Sequence, residues 1–197
     1  MQIQKLIVAT GNLHKLREIS AIFTETEVIS AAEAGFKEDT PETGETFEEN
    51  ALIKARAAAK ALGLPALADD SGLCTDALGG APGIYSARYS GEHGNDKANR
   101  EKLLKELSGE KNRRARFRCA VALCFPNGKE ITASGETCGE ILQKETGCNG
   151  FGYDSLFFSD DLQKSFGEAS DKEKNDVSHR GRALSALKNK IASLREE

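Results

Sequence analysis

Much that would assign this 197-residue chain to a class is missing from it. No apolar run approaches the roughly 20 residues that span a bilayer. The opening stretch, MQIQKLIVATGN, turns polar too early for a signal peptide, so neither a membrane anchor nor an export leader is expected. Positive charge is not in excess: 27 Lys and Arg against 31 Asp and Glu leave a net charge of −4, a poor electrostatic footprint for duplex nucleic acid. A small anionic ligand held by a few placed cations fits that balance. Five cysteines (Cys74, Cys119, Cys124, Cys138, Cys148) contain no C-x-x-C pair, and His14, His93 and His179 are scattered. This argues against a zinc site or a disulfide framework and for reduced thiols in the cytoplasm. No linker, internal repeat or low-complexity tract interrupts the chain, whose length is ample for a buried interior, and 1–197 reads as one domain.

What is present begins with a short apolar, β-branched run at 3–9, read as a buried strand, then a TGN turn and a helix with Leu16, Ile19, Ile22 and Phe23 at helical spacing. A strand-like EVIS at 27–30 leads into an acidic loop. Thr46 with Glu49 three residues on is a capping-box signature, and it predicts an alanine-rich helix to about Gly63. Residues 65–68 read as a strand closed by DDSG, where Ser71-Gly72 is expected to turn the chain. A GGAPG loop precedes a helix near 95–108 with Leu103, Leu104 and Leu107 inward. From Arg116 to Phe125 the pattern alternates, with Phe117, Cys119, Val121, Leu123 and Phe125 on one face, and PNGK predicts a hairpin into a second strand. The final helix is expected from about Ser178 to Arg195 through Leu184, Leu187, Ile191 and Leu194. Strand–helix alternation together with a hairpin indicates an α/β fold with a mixed sheet flanked by helices.

Five short segments carry chemistry-bearing residues. Thr10, Gly11 and Asn12 lie where strand meets helix, a natural anion site, and Lys15 is one turn in. An ordinary cap with Lys15 in solvent is the other reading, and no Walker A pattern occurs anywhere. Glu38, Asp39, Glu42, Glu45, Glu48 and Glu49 crowd a stretch without Lys or Arg. Helix-dipole complementarity accounts for Glu48 and Glu49 but not for Glu38 to Glu42, and magnesium, which takes oxygen ligands, is another reason to gather carboxylates. Asp69 and Asp70 close an apolar strand, with one able to serve as general base or metal ligand and the other as a brace; an Asx-type turn is the alternative. In GFGYD (150–154) the glycines permit close backbone approach, and Phe151 or Tyr153 either stacks on a planar base or pins a bend. SHRG (178–181) puts His179 and Arg180 into the first turn of a helix, where cations oppose the dipole.

Together, and in this order, these segments resemble the Ham1/RdgB nucleoside triphosphate pyrophosphatases, also called inosine or xanthosine triphosphate pyrophosphatases. The resemblance runs from Leu6 to about Leu187. It is carried by TGNLHK, ETGETFEENALIKA, LADDSGLCTDALGGAPGIYSARYSG, NGFGYD and EKNDVSHRGRAL. It implies an elongated central mixed sheet with two lobes around an active-site cleft, and magnesium-dependent (Mg2+) conversion of ITP, dITP or XTP to the monophosphate and pyrophosphate. It further implies that Asp70 is general base and metal ligand, with Asp69 in support. Thr10, Gly11, Asn12 and Lys15 would grip phosphate, and Ser71 would touch substrate. Phe151, Gly152, Tyr153 and Asp154, joined by Lys174, His179 and Arg180, would form the base and sugar pocket, with Arg88 close by. Donors from Arg180, His179 or nearby backbone would bond the 6-oxygen of hypoxanthine or xanthine and meet adenine's amino group N–H to N–H. A homodimer is implied as well. Two departures stand out: Ser155 follows FGYD where proline is common, and Pro41-Glu42 precede the TG of the acidic loop where two acids are common, which leaves Glu42 as the candidate metal ligand. A Maf-type nucleotide hydrolase and a non-catalytic nucleotide-binding module are the competing readings.

Overall fold

A computed structural model describes residues 3–37 and 40–193. Twelve strands and helices follow in chain order: β1 (Lys5–Val8), α1 (Leu13–Ile22), β2 (Glu27–Ser30), α2 (Phe47–Leu62), β3 (Ala66–Thr75), α3 (Asp96–Glu106), β4 (Arg114–Cys124), β5 (Glu130–Ile141), β6 (Phe157–Ser159), β7 (Lys164–Ser165), α4 (Asp171–Val177) and α5 (His179–Ser193). Hydrogen bonding orders the strands β2-β1-β3-β4-β5-β6-β7. β1 pairs in parallel with β2 and β3, whereas β6 pairs antiparallel with β5 and β7. Parallel neighbours require crossovers, and α1 and α2 supply them. The β4–β5 hairpin turns where expected, the Phe125 N–H donating to the Lys129 carbonyl at 2.9 Å. The mixed α/β expectation is met.

Two compact units make up the chain. One comprises the segments up to Asp70, Cys119–Gly135 and from Arg180 on; the other comprises Ser71–Arg118 and Glu136–His179. In the first unit both strand faces are apolar, as buried parallel strands require. Leu6, Val8, Leu67, Val121 and Leu123 pack with Leu184, Leu187 and Ile191 of α5. On the opposite face Ile7, Ala66, Ala68 and Ala122 meet Ala51, Ala55, Ala58 and Ala59 of α2, a stripe of methyl groups that lets helix and sheet approach closely. Both halves of the capping box of α2 form: Thr46 Oγ1 accepts the Glu49 N–H, and Glu49 accepts the Thr46 N–H, each at 3.1 Å. The second unit is centred on Leu73, Leu103, Leu107, Phe117, Phe157 and Phe166, with the Phe117 and Phe157 ring centroids 4.7 Å apart. The alternating face of β4 is therefore shared out, Phe117 to one core and Cys119 to Phe125 to the other.

Three expectations change. β3 does not end at DDSG but runs on to Thr75. Gly72 permits this by close packing rather than by a turn, since a Cβ there would lie 2.2 Å from the Gly83 carbonyl oxygen. The last helix is preceded by a separate one, α4, capped by Ser170 with Glu173 and ending at Ser178, which is its C-cap. Glu38 and Asp39 of the acidic loop, and Leu194 and Arg195 of the last helix, lie outside the described residues.

Candidate active site

Successive strand residues face opposite sides, and β3 uses this to send its two carboxylates into different surroundings. The Asp69 side chain is fully buried. Its Oδ2 accepts from Arg180 Nε at 3.1 Å and Nη2 at 2.9 Å, and lies 3.1 Å from Lys15 Nζ. Arg180 Nη1 also donates to Glu18 of α1. Burial pushes the Asp69 carboxyl up, but the Lys15 and Arg180 charges more than offset it and hold the group well below the usual carboxylate range. Burial likewise works against the Arg180 charge, which Asp69 and Glu18 more than restore. Cys119 Sγ sits 4.0 Å from the same oxygen. Burial, and next the Asp69 charge, push its thiol up to about 12, so it stays protonated and unreactive.

Asp70 faces α2. Its Oδ2 accepts from Asn50 Nδ2 at 3.1 Å, and its Oδ1 lies 3.4 Å from Lys54 Nζ. Asn50 and Lys54, four residues apart on one helical face, are thereby both aimed at it. Lys54 Nζ also donates to Glu42 Oε1 at 2.7 Å and to the Asp69 carbonyl at 2.8 Å. Burial would lower the Lys54 pKa, yet Asp70, Asp69 and Glu42 raise it and keep it cationic. Asp70 itself is raised, by burial first and by the neighbouring Glu42 charge, with Lys54 opposing. Among the described residues no three His, Cys, Asp or Glu side chains converge. The donors around Lys54 Nζ are instead two carboxylates and a carbonyl, hard oxygens that suit magnesium, an ion that completes its shell with water.

At the strand-to-helix turn, Asn12 is the N-cap of α1. Its Oδ1 accepts the N–H groups of His14 at 2.9 Å and Lys15 at 3.3 Å, while Thr10 Oγ1 accepts the Asn12 N–H at 3.1 Å. Gly11 is exposed. The cap reading thus holds for Asn12, but Lys15 is not in solvent: its side chain is only 16% exposed against Asp69.

The remaining predicted residues belong to the second unit. Lys174 of α4 is buried, with Nζ 2.7 Å from Asp154 Oδ2 and 4.5 Å from the centre of the Phe151 ring. The same Asp154 oxygen accepts the Phe151 N–H at 2.8 Å. Gly150 must be glycine: its φ is +75°, and a Cβ would lie 2.2 Å from Asp154 Oδ2. For Tyr153 the bend-pinning reading holds. Phe151 is half-buried, whereas Tyr153 belongs to the core and donates its hydroxyl to the Ser86 carbonyl at 2.9 Å. His179 stacks on Phe117 at 4.8 Å between centroids. Ser71 is half-buried on β3, and Arg88 closes a 3-10 turn with its Cζ 5.3 Å from the centre of the exposed Tyr85 ring.

The guanidinium of Arg180 donates through Nε and Nη2 to one oxygen of Asp69 and through Nη1 to Glu18, so the buried Asp69 charge is matched by a buried cation. Glu18, Asn50 and Lys54 were not singled out from the sequence. For the last two the signal was a polar pair at i and i+4 flanking the alanine stripe of α2; for Glu18 there was none.

Against known sequences, the pattern of the Ham1 family matches residues 6–190. The chain is 52% identical over 194 residues to the dITP/XTP pyrophosphatase of Haemophilus influenzae, covering 95% of this chain and 99% of that one. It is 52% identical over 191 residues to the protein of the same name from Geobacter sulfurreducens, covering 95% and 96%. The solved structure of the Staphylococcus aureus Ham1 protein superposes with a TM-score of 0.87 at 42% identity, covering 96% of this chain and 98% of that one.

Proposed function

The chain belongs to the Ham1 family, and on that premise we propose that it hydrolyses the non-standard purine nucleoside triphosphates ITP, dITP, XTP and dXTP to the monophosphate and pyrophosphate, clearing deaminated purines from nucleotide pools. The observation that carries this reading is the division of labour on β3. Asp69 is committed to Lys15 and Arg180, while Asp70 stands among Asn50, Lys54 and Glu42 with a raised pKa. Asp70 orients a water and takes its proton as the water oxygen bonds to the α-phosphorus, and the bond from that phosphorus to the bridging oxygen breaks to release pyrophosphate. Lys15, tethered by Asp69 at the start of α1, and the turn Thr10-Gly11-Asn12 offset phosphate charge. Glu42 and Asp70 would hold magnesium, which when bound neutralises triphosphate charge and polarises phosphoryl oxygens. Arg180 serves by fixing Asp69, and through it Lys15.

The family resemblance assigns recognition of the base to GFGYD and the residues that join it. Phe151 stacks on the purine, Asp154 and Lys174 fix the bend that carries it, and Tyr153 braces that bend from the core. Ser71 and Arg88 are assigned to substrate contact by the family resemblance. The family resemblance assigns the donors to the 6-oxygen to Arg180, His179 or nearby backbone N–H groups. Adenine would leave such donors unpaired, a costly state in a dry site. The same resemblance supports a cytoplasmic homodimer acting on free nucleotides; no helix among the described residues is long and apolar enough to cross a membrane.

Product analysis with magnesium and dITP, XTP, dATP or dGTP tests this directly. The expected result is pyrophosphate with monophosphate from dITP and XTP, and near-silence from the other two. Orthophosphate as first product would put the attack at the γ-phosphorus and overturn the role of Asp70. Binding of purines without turnover would favour the binding module, and a preference for pyrimidine or modified nucleotides the Maf-type reading.

A further inference from the structure

Phe151 sits between two glycines of positive φ, Gly150 at +75° and Gly152 at +61°. Within the bend one backbone hydrogen bond forms, the Asp154 N–H donating to the Phe151 carbonyl at 3.1 Å; glycines on both sides leave the rest of its rigidity to other contacts. Asp154 holds one side through the Phe151 N–H. The other side is held by α3: Asp96 Oδ2 accepts the Gly152 N–H at 2.9 Å, and Arg100 Nη1 donates to the Gly152 carbonyl at 2.8 Å. Asp96 and Arg100 are four residues apart and so share a helical face. The peptide before Phe151, the one after it and the next are each anchored, which fixes both backbone angles of Phe151. Arg100 Nε is also ion-paired with Glu145 Oε2 at 3.0 Å, and that oxygen accepts from Ser155 Oγ at 3.0 Å. Ser155, Glu145 and Arg100 thus form one connected chain beside the bend.

We propose that Asp96 and Arg100 are positioning residues that aim the Phe151 ring and thereby set the affinity of the enzyme for its purine base. The role in base affinity rests on Phe151 stacking on the base, as in the proposed function; the aiming of the ring does not.

The test separates the two. The sequence contains no tryptophan, so Phe151→Trp introduces a single indole. Its time-resolved anisotropy should show fast local rotation when Arg100→Ala is added, and less of it with Arg100→Lys. Unchanged anisotropy overturns the clamp whatever the enzyme hydrolyses. In the Phe151 protein, Arg100→Ala and Asp96→Ala should raise KM for dITP about two- to tenfold, as expected for one lost hydrogen bond, with kcat held within about twofold. Hydrolysis of deoxyribose 5′-triphosphate, which has no base to stack, should be unaffected. Equal losses on both substrates, or a fall in kcat alone, would overturn the role in base affinity. A parent protein that cleaves neither substrate would instead defeat the proposed function, leaving anisotropy to judge the clamp. If an alanine variant fails to fold by circular dichroism, Arg100→Lys and Asp96→Asn carry the same comparison.

Discussion

Replacing Asp69 by Asn would remove one charge from a fully buried ion-pair cluster. The Asp69 side chain is 0% and that of Arg180 1% exposed. The amide fills the same space but leaves the guanidinium balanced by Glu18 and Lys15 without its carboxylate. Removing one partner of a buried pair costs about 3–5 kcal/mol. For a chain of this size each kcal/mol moves the melting temperature by about 2–4 °C, so Asp69→Asn should melt about 6–20 °C lower. Circular dichroism melting over a pH series supplies the assay, and the sign of its pH dependence follows from the carboxyl. Lys15 and Arg180 outweigh burial and hold its folded pKa below the unfolded one. Its stabilisation is therefore complete above the unfolded value and is withdrawn as pH falls towards the folded one. The gap between parent and variant should be constant from neutrality to roughly pH 5 and should narrow below about pH 4. A gap under about 2 °C at neutral pH, or one that widens on acidification, would refute the reasoning.

Other consequences can be measured independently. Asp70→Asn should keep the fold, because an amide oxygen can still accept from Asn50, and should lower pyrophosphate release from dITP about 10²–10⁴-fold; a smaller loss would remove Asp70 as base. Gly72→Ala places a Cβ 2.2 Å from the Gly83 carbonyl oxygen and 2.5 Å from Ser86 Oγ. It should cost about 1–3 kcal/mol in denaturant unfolding, and an unmoved midpoint would contradict the close packing. Thr46→Ala opens the capping box of α2 and should cost about 1 kcal/mol, seen as a melting point lowered by about 2–4 °C.

Where local chemistry decides the structure, the sequence was sufficient. Thr46 with Glu49, the PNGK turn and the EVIS strand fell where their residues put them, because caps and tight turns are settled within a few positions. The site was legible as residue types: two aspartates on a strand, an Asn–Lys pair at a helix start, a glycine-flanked Phe. Partnership was not. Arg180 follows His179 in the chain, yet its side chain pairs with a carboxylate 111 residues earlier, and no local pattern encodes that distance. DDSG was read as a turn because Asp, Ser and Gly are turn residues in water; in the protein Gly72 is demanded by a carbonyl from another segment. Helix α4 is the reverse case, since its Ser170–Glu173 box was visible in the sequence and was not used.

The order in which the chain is synthesised gives the Asp69–Arg180 pair a further meaning. Asp69 leaves the ribosome 111 residues ahead of the guanidinium that neutralises it. Until then Lys15 is the cation within reach of that carboxylate, and Arg180 adds the second. The segments of the first unit are complete in the chain only after all those of the second have been made. One cation of the buried cluster, Lys15, thus precedes the carboxylate in the chain and the other follows it by more than half the chain's length.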